Sequence, residues 1–241
     1  MKKESLFLQK KKELYQYIKT QKFAGGKLPT EEIFAEQFGI SRNMLRELMR
    51  DLEREGYLSK QQGLGNFVHT SALNKKMRID LINDFSMMLT EAGMNVSYNR
   101  LEASERDIEN MYMLQKDFPN YKIEDFFLEG RMYLIDQIPG IYSMIYIPKD
   151  IMLLETGAEK RAEAKGFFEY LDLYCNQKIE QMIIDFDVLS ADEWLADKMQ
   201  LKLHAPVMQW YEIYYNFFDE AVCASISYFN PQIIKFSMLR K

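Results

Sequence analysis

Cysteine and histidine are scarce in this chain. Two cysteines, Cys175 and Cys223, and two histidines, His69 and His204, are spread over 241 residues. No CxxC pair occurs, so neither a metal site nor a dithiol is expected, and each cysteine sits among aromatic and aliphatic residues. Buried, reduced thiols fit a cytoplasmic protein. No run approaches the ~18 apolar residues of a membrane span. The segment Met1–Lys12 is charged and lacks an apolar core, so no signal peptide is expected. There is no HExxH, no GxSxG and no nucleophile beside a base, so no catalytic residue, cofactor or enzymatic activity is expected. Repeats and low-complexity segments are absent too.

What is present is ordinary globular material, 47% hydrophobic and 28% charged, long enough for two domains. The net charge of −5 argues against nucleic acid until its distribution is read. Residues 1–75 hold 14 Lys and Arg against 9 Asp and Glu; the remainder hold 17 against 27. A basic head on an acidic body implies that only the head meets a polyanion.

The head reads as three helices and a hairpin. "KKKELYQYIKT" (10–20) has helical periodicity and "FAGGK" breaks it. Thr30 caps "EEIFAEQFG", and Ser41 caps a third helix that Gly56 stops. In that third helix Leu45, Leu48, Met49 and Leu52 form one apolar stripe. Two short strand patterns, 57–61 and 66–69, flank "QGLG". These are the parts of a winged helix-turn-helix, expected over residues 1–74, with "TSALNKK" (70–76) reading as a linker. The remainder, 75–241, alternates strands and helices. "EDFFLEGRMYLI" and "GIYSMIYIP" form a hairpin turning at 137–140, "PVMQWYEIYYNF" and "AVCASISYF" a second, and Ser190 reads as a helix cap. The expected class is α+β with a mainly antiparallel sheet.

The buried stripe leaves Arg42, Asn43, Arg46 and Arg50 on the opposite face of the third helix. That is the arrangement of a recognition helix, whose first turns reach base edges in the major groove. The competing reading is a solvated face, with Arg46 and Arg50 paired along the helix to Glu47 or Glu53. The capped helices, the turn and the wing decide for DNA.

"LPTEEIFAEQFGISRNMLRELMRDLEREGYLSKQQGLGNFV" (28–68) resembles the DNA-binding domain of the GntR family of bacterial transcription regulators, whose pattern runs roughly LPSERELAxxxGVSRxTVRxALxxLExEGLIxxxxGxGTFV. The resemblance implies DNA contacts from Thr30, Ser41, Arg42, Asn43, Met44 and Arg46, and from Gln62, Gly63 and Gly65 in the wing. It also exposes three departures. Glu32 replaces a DNA-contacting Arg, Leu64 a frequent wing Arg, and Met44 a Thr. The C-terminal part resembles the UTRA ligand-binding domain of the HutC branch, a chorismate-lyase-like fold, in "DFSMMLTEAGM", "FFLEGRMYLIDQIPGIYSMIYIP" and "GFFEYL". Ser86, at an expected helix N-terminus, suits a phosphate or carboxylate. The resemblance makes Arg131 an anion-binding Arg and puts Tyr133, Ser143, Gly166 and Tyr228 at the ligand, with Tyr133 in place of a second Arg, Ser143 of an acidic residue and Gly166 of a phosphate-binding Ser.

The expected function is a sequence-specific DNA-binding transcription regulator, a repressor. It is expected to work as a homodimer on an inverted-repeat operator in double-stranded DNA, released by a small anionic metabolite, a phosphosugar or carboxylate. The alternatives are a ligand-binding protein with a degenerate DNA-binding head, or a lyase-like enzyme.

Overall fold

The computed structural model describes residues 5–81, 84–153 and 166–241. Two compact units emerge: Met1–Leu81 together with Ser237–Lys241, and Ile82–Phe236.

In the first unit, α1 (Leu6–Thr20) starts earlier than its apolar periodicity predicts, because Ser5 caps it. α2 (Glu31–Phe38) follows Thr30, whose Oγ1 accepts from the Ile33 amide at 3.5 Å, and ends at Gly39. α3 (Arg42–Arg54) follows Ser41, whose Oγ accepts from the Met44 amide at 3.2 Å. The expected stripe of Leu45, Leu48, Met49 and Leu52 is buried against Leu14 and Ile18 of α1 and Phe34 of α2. Each such side chain contributes about 1.5–3 kcal/mol of burial free energy, which sets α3 firmly on its support. β1 (Leu58–Gln61) and β2 (Gly65–Val68) pair antiparallel as the wing.

The stretch read as a linker is not one. Thr70–Leu73 forms a single helical turn, α4, and Ala72 and Leu73 enter the head core. Two apolar side chains inside a polar segment were enough to dock it. The head is then completed from the far end of the sequence. The Ser237 amide donates to the Met77 carbonyl at 2.9 Å, the Ile79 amide to the Ser237 carbonyl at 3.0 Å, and Leu239 packs on the same core. Gly56 suits this closure: its φ is +80°, and a Cβ there would meet the side-chain tip of Leu239, which would have to shift.

The second unit is built on one six-stranded antiparallel sheet of order β3-β4-β5-β8-β7-β6. In chain order its described elements are α5 (Phe85–Glu91), β3 (Val96–Leu101), α6 (Glu105–Glu109), β4 (Phe126–Ile135), β5 (Ile138–Pro148), α7 (Phe167–Tyr174), β6 (Gln181–Ser190), α8 (Glu193–Met199), β7 (Pro206–Tyr215) and β8 (Ala221–Phe229). The turn between β4 and β5 is Asp136–Gln137, not 137–140. Both residues take positive φ, 49° and 68°, as a two-residue hairpin with the twist of its strands requires. Asp192, not Ser190, caps α8, accepting from the Leu195 amide at 2.9 Å.

The period of two along the strands separates two cores. Tyr142, Met144, Tyr146, Ile226 and Tyr228 face α8 and the chain around Met111 and Leu114. Ile145, Ile147, Tyr214 and Cys223 face α7, with Phe167, Leu171 and Cys175. Both cysteines are free and buried, and burial pushes the Cys175 thiol up to about 11. Among the described residues no helix is long and apolar enough to cross a membrane, and no group of three His, Cys, Asp or Glu is placed to hold a metal.

Candidate nucleic-acid interface and effector cleft

On the head, the exposed face of α3 presents Arg42, Asn43, Arg46 and Arg50. Two of the arginines are engaged, though not along their own helix. Arg42 pairs with Glu32, and Arg46 Nε donates to Glu31 Oε2 at 2.6 Å. Lys60 of β1 donates to the other oxygen of Glu31 at 3.1 Å. The bond from Arg46, joined by Lys60, outweighs burial and holds the Glu31 carboxyl below its usual range. Pairs this exposed are worth only ~0.2–1 kcal/mol each, so a phosphate can exchange for either carboxylate at little cost.

The hydroxyls of Thr30 and Ser41 accept from helix-end amides. Met44 is half-buried and packs against the head core. Gln62 and Gly63 are exposed at the wing tip beside exposed Leu64, and Gly65 is half-buried near Lys27. Lys60 and Glu31 were not singled out from sequence. The acidic first turn of α2 reads there only as helix stabilisation, and contact across elements is invisible to a one-helix pattern.

In the second unit a tight cleft, with free space of about 20 Å³ or room for about one water molecule, lies between the sheet, α5 and α7. Tyr133, Ser143 and Glu212 reach it from the strands, Asp84 and Phe85 from the start of α5, and Phe167 and Phe168 from the start of α7. Arg131 shares the strand face of Tyr133 by its period-two position, and its guanidinium lies between the rings of Tyr98 and Phe167, 5.6 and 5.9 Å from their centroids. Ser143 Oγ accepts from Ser227 Oγ at 2.8 Å.

Tyr228 does not join this group. It lies on the opposite face of the sheet, stacked on Tyr142, and its hydroxyl accepts from Asn110 at 3.0 Å and Gln209 at 3.2 Å. Ser143 and Tyr142 are consecutive, so their partners Ser227 and Tyr228 must point to opposite faces.

The anion contacts expected in the cleft are matched internally. Asp84 Oδ1 caps α5 by accepting from the Met87 amide at 2.9 Å, so the helix end near half-buried Ser86 already holds a carboxylate. A Cβ on Gly166 would collide with Asp84 Oδ2, so aspartate fills the space a serine would take there. Arg131 is bound by buried Glu129, Nε at 2.7 Å and Nη2 at 2.6 Å from Oε1.

Residues 11–68 match the family described as bacterial regulatory proteins, gntR family. The head belongs to the gntR family. The uncharacterized HTH-type transcriptional regulator YurK of Bacillus subtilis is 27% identical to this chain over 129 residues, 52% of this chain and 50% of that protein. The chain therefore spans about half the length of this curated relative. The crystal structure of the possible transcriptional regulator YydK, also from Bacillus subtilis, covers 97% of this chain and 99% of its own with a TM-score of 0.70 at 18% identity. The effector domain of PhnF from Mycobacterium smegmatis covers 69% of this chain and 99% of its own, with a TM-score of 0.54 at 11% identity. At these identities the two structures speak for the fold alone.

The acidic groups at the cleft, Asp84 and Glu212, were missed in the sequence. Glu212 lies in "QWYEIYY", where every neighbour argues for a core strand. Only its burial beside the cleft marks it. It accepts from Ser225 Oγ at 2.9 Å and from Tyr214 OH at 3.1 Å, and burial pushes its carboxyl up to about 7 despite these two bonds.

Proposed function

We propose that the chain is a cytoplasmic, homodimeric transcription regulator that represses by binding an inverted-repeat operator and is released by a small molecule in the α5–α7 cleft. The observation that carries this is α3: a capped helix pinned by four buried residues, with Arg42, Asn43, Arg46 and Arg50 on the free face. Arginine offers bidentate contacts to guanine and asparagine to adenine, and the wing tip lies ready for the backbone. A dimer presents two equivalent heads, hence the inverted repeat. Effector binding changes the spacing or order of the heads, through a coupling of ~1–3 kcal/mol. The anionic charge expected for the effector is not retained, because Glu129 and Asp84 already occupy the groups that would bind it.

Selection of bound sequences from a random DNA pool, followed by shift assays on the full chain, tests this reading. An inverted repeat retained by a dimer is the expected result. Failure to enrich any sequence would favour the second reading, a ligand-binding protein with a degenerate head. The pairing of Glu31 and Glu32 with Arg46 and Arg42 is the observation on that side.

A further inference from the structure

The chemistry of the α5–α7 cleft fits a positive charge. Its rings come from three elements: Phe85 from α5, Tyr133 and Tyr214 from the sheet, Phe167 and Phe168 from α7. They meet edge to face, Phe85 with Tyr133 at 5.8 Å, and Tyr214 with Phe167 at 5.4 Å and with Phe168 at 6.2 Å between centroids. Such rings hold an ammonium within about 6 Å of a centroid through their negative faces, best where water is excluded.

Two carboxylates complete the lining. Both hydrogen bonds to Glu212 run to Oε2, so Oε1 is the atom left for a ligand, on a side chain that is only 3% exposed. Asp84 spends Oδ1 on its helix cap and turns Oδ2 to the space over Gly166. The cations nearby are already matched. Arg131 is held by Glu129, and Arg100 approaches the same carboxylate at 3.7 Å. An incoming anion would have to break the buried Arg131–Glu129 pair while facing Asp84 and Glu212. An incoming cation would meet both of them without breaking any bond described above. Burial keeps a proton on Glu212 up to about pH 7, and a cation seated on Oε1 would stabilise the ionised form in that proton's place.

We propose that the ligand of this cleft carries an ammonium group, seated among the rings with its charge on Glu212 Oε1 and Asp84 Oδ2. The proposal rests on the reading of this unit as an effector domain and names the class of molecule it takes.

Calorimetric titration of the full-length protein tests it with matched probes: choline against 3,3-dimethylbutan-1-ol, butylammonium against butan-1-ol, and inorganic phosphate and acetate as anions. The cations should bind at least about tenfold tighter than their neutral counterparts. Glu212→Gln should erase that preference, and Asp84→Asn, which keeps a side-chain cap for α5, should reduce it. Circular dichroism melting establishes that both variants are folded. Equal binding of neutral and charged probes, binding of phosphate or acetate alone, or binding of no probe at all would overturn the proposal. Operator retention by the unliganded protein is measured in the same samples. Its loss strikes the regulator reading, whereas release of operator by an anion strikes only the choice of charge.

Discussion

Glu212 should make the second unit lose stability as pH rises, and Gln in its place should remove that loss. The side chain is buried, and its carboxyl is raised from 4.5 to about 7. Between those values the unfolded chain has released the proton that the folded chain still holds. The favourable contribution is therefore complete below about pH 4.5 and is lost as pH climbs through about 7. A shift of this size corresponds to about 3 kcal/mol between the two limits, since each unit of pKa is worth 1.36 kcal/mol. Most of it, about 2–3 kcal/mol, falls between pH 5 and pH 8. Glu212→Gln keeps the shape, lets the amide oxygen accept from Ser225, and removes the titration. Urea unfolding followed by tryptophan fluorescence reports this unit selectively, because Trp194 and Trp210 both lie in it. The variant should gain about 2–3 kcal/mol on the parent between pH 5 and pH 8. Parallel pH profiles for the two proteins would refute the assignment of a proton to buried Glu212.

On the head, Arg42→Ala and Arg46→Ala should each weaken operator binding by about 1–3 kcal/mol if they read bases, and wild-type affinity in both would defeat the recognition-helix assignment. Glu31→Gln frees Arg46 and Lys60 together, so it should tighten binding to unrelated DNA and steepen the salt dependence by about one phosphate contact; an unchanged slope in filter binding would mean these cations face no phosphate. Gly56→Ala should destabilise the head by about 1–3 kcal/mol, because the new Cβ meets Leu239 and φ stays at +80°. Hydrogen exchange at the amides of α3 should then accelerate, and unaltered protection would contradict the packing of Leu239 on the head.

Much of the head was legible because its signals are local. A cap, an apolar period and a turn residue lie within four positions of one another, and Thr30, Ser41 and the Leu45–Leu52 stripe behave as the pattern requires. The antiparallel class of the second unit also followed from its two long hairpins. What escaped was whatever depends on contact between distant segments. The partners of Arg42 and Arg46 lie in another helix. Ala72 and Leu73 look like linker until the core that receives them exists. Tyr228 was placed by resemblance, and the face of a strand is fixed by register, which the sequence of one strand does not contain. The cleft shows this most sharply. Arg131 reads as an anion ligand by resemblance alone, and the pairing with Glu129, two residues away on the same face, is not part of that resemblance.

The return of Ser237–Lys241 to the head bears on how the protein is made. Synthesis delivers the three helices and the wing first, and the ribosome then has the whole sheet to complete before Leu239 emerges. Until that moment the surface beside Gly56 is open, and the nascent head lacks its closing contact. Completion of the head is thereby tied to translation of the entire second unit. A fragment ending anywhere in the sheet carries α1 to α3 and the wing and still lacks the side chain that closes their core.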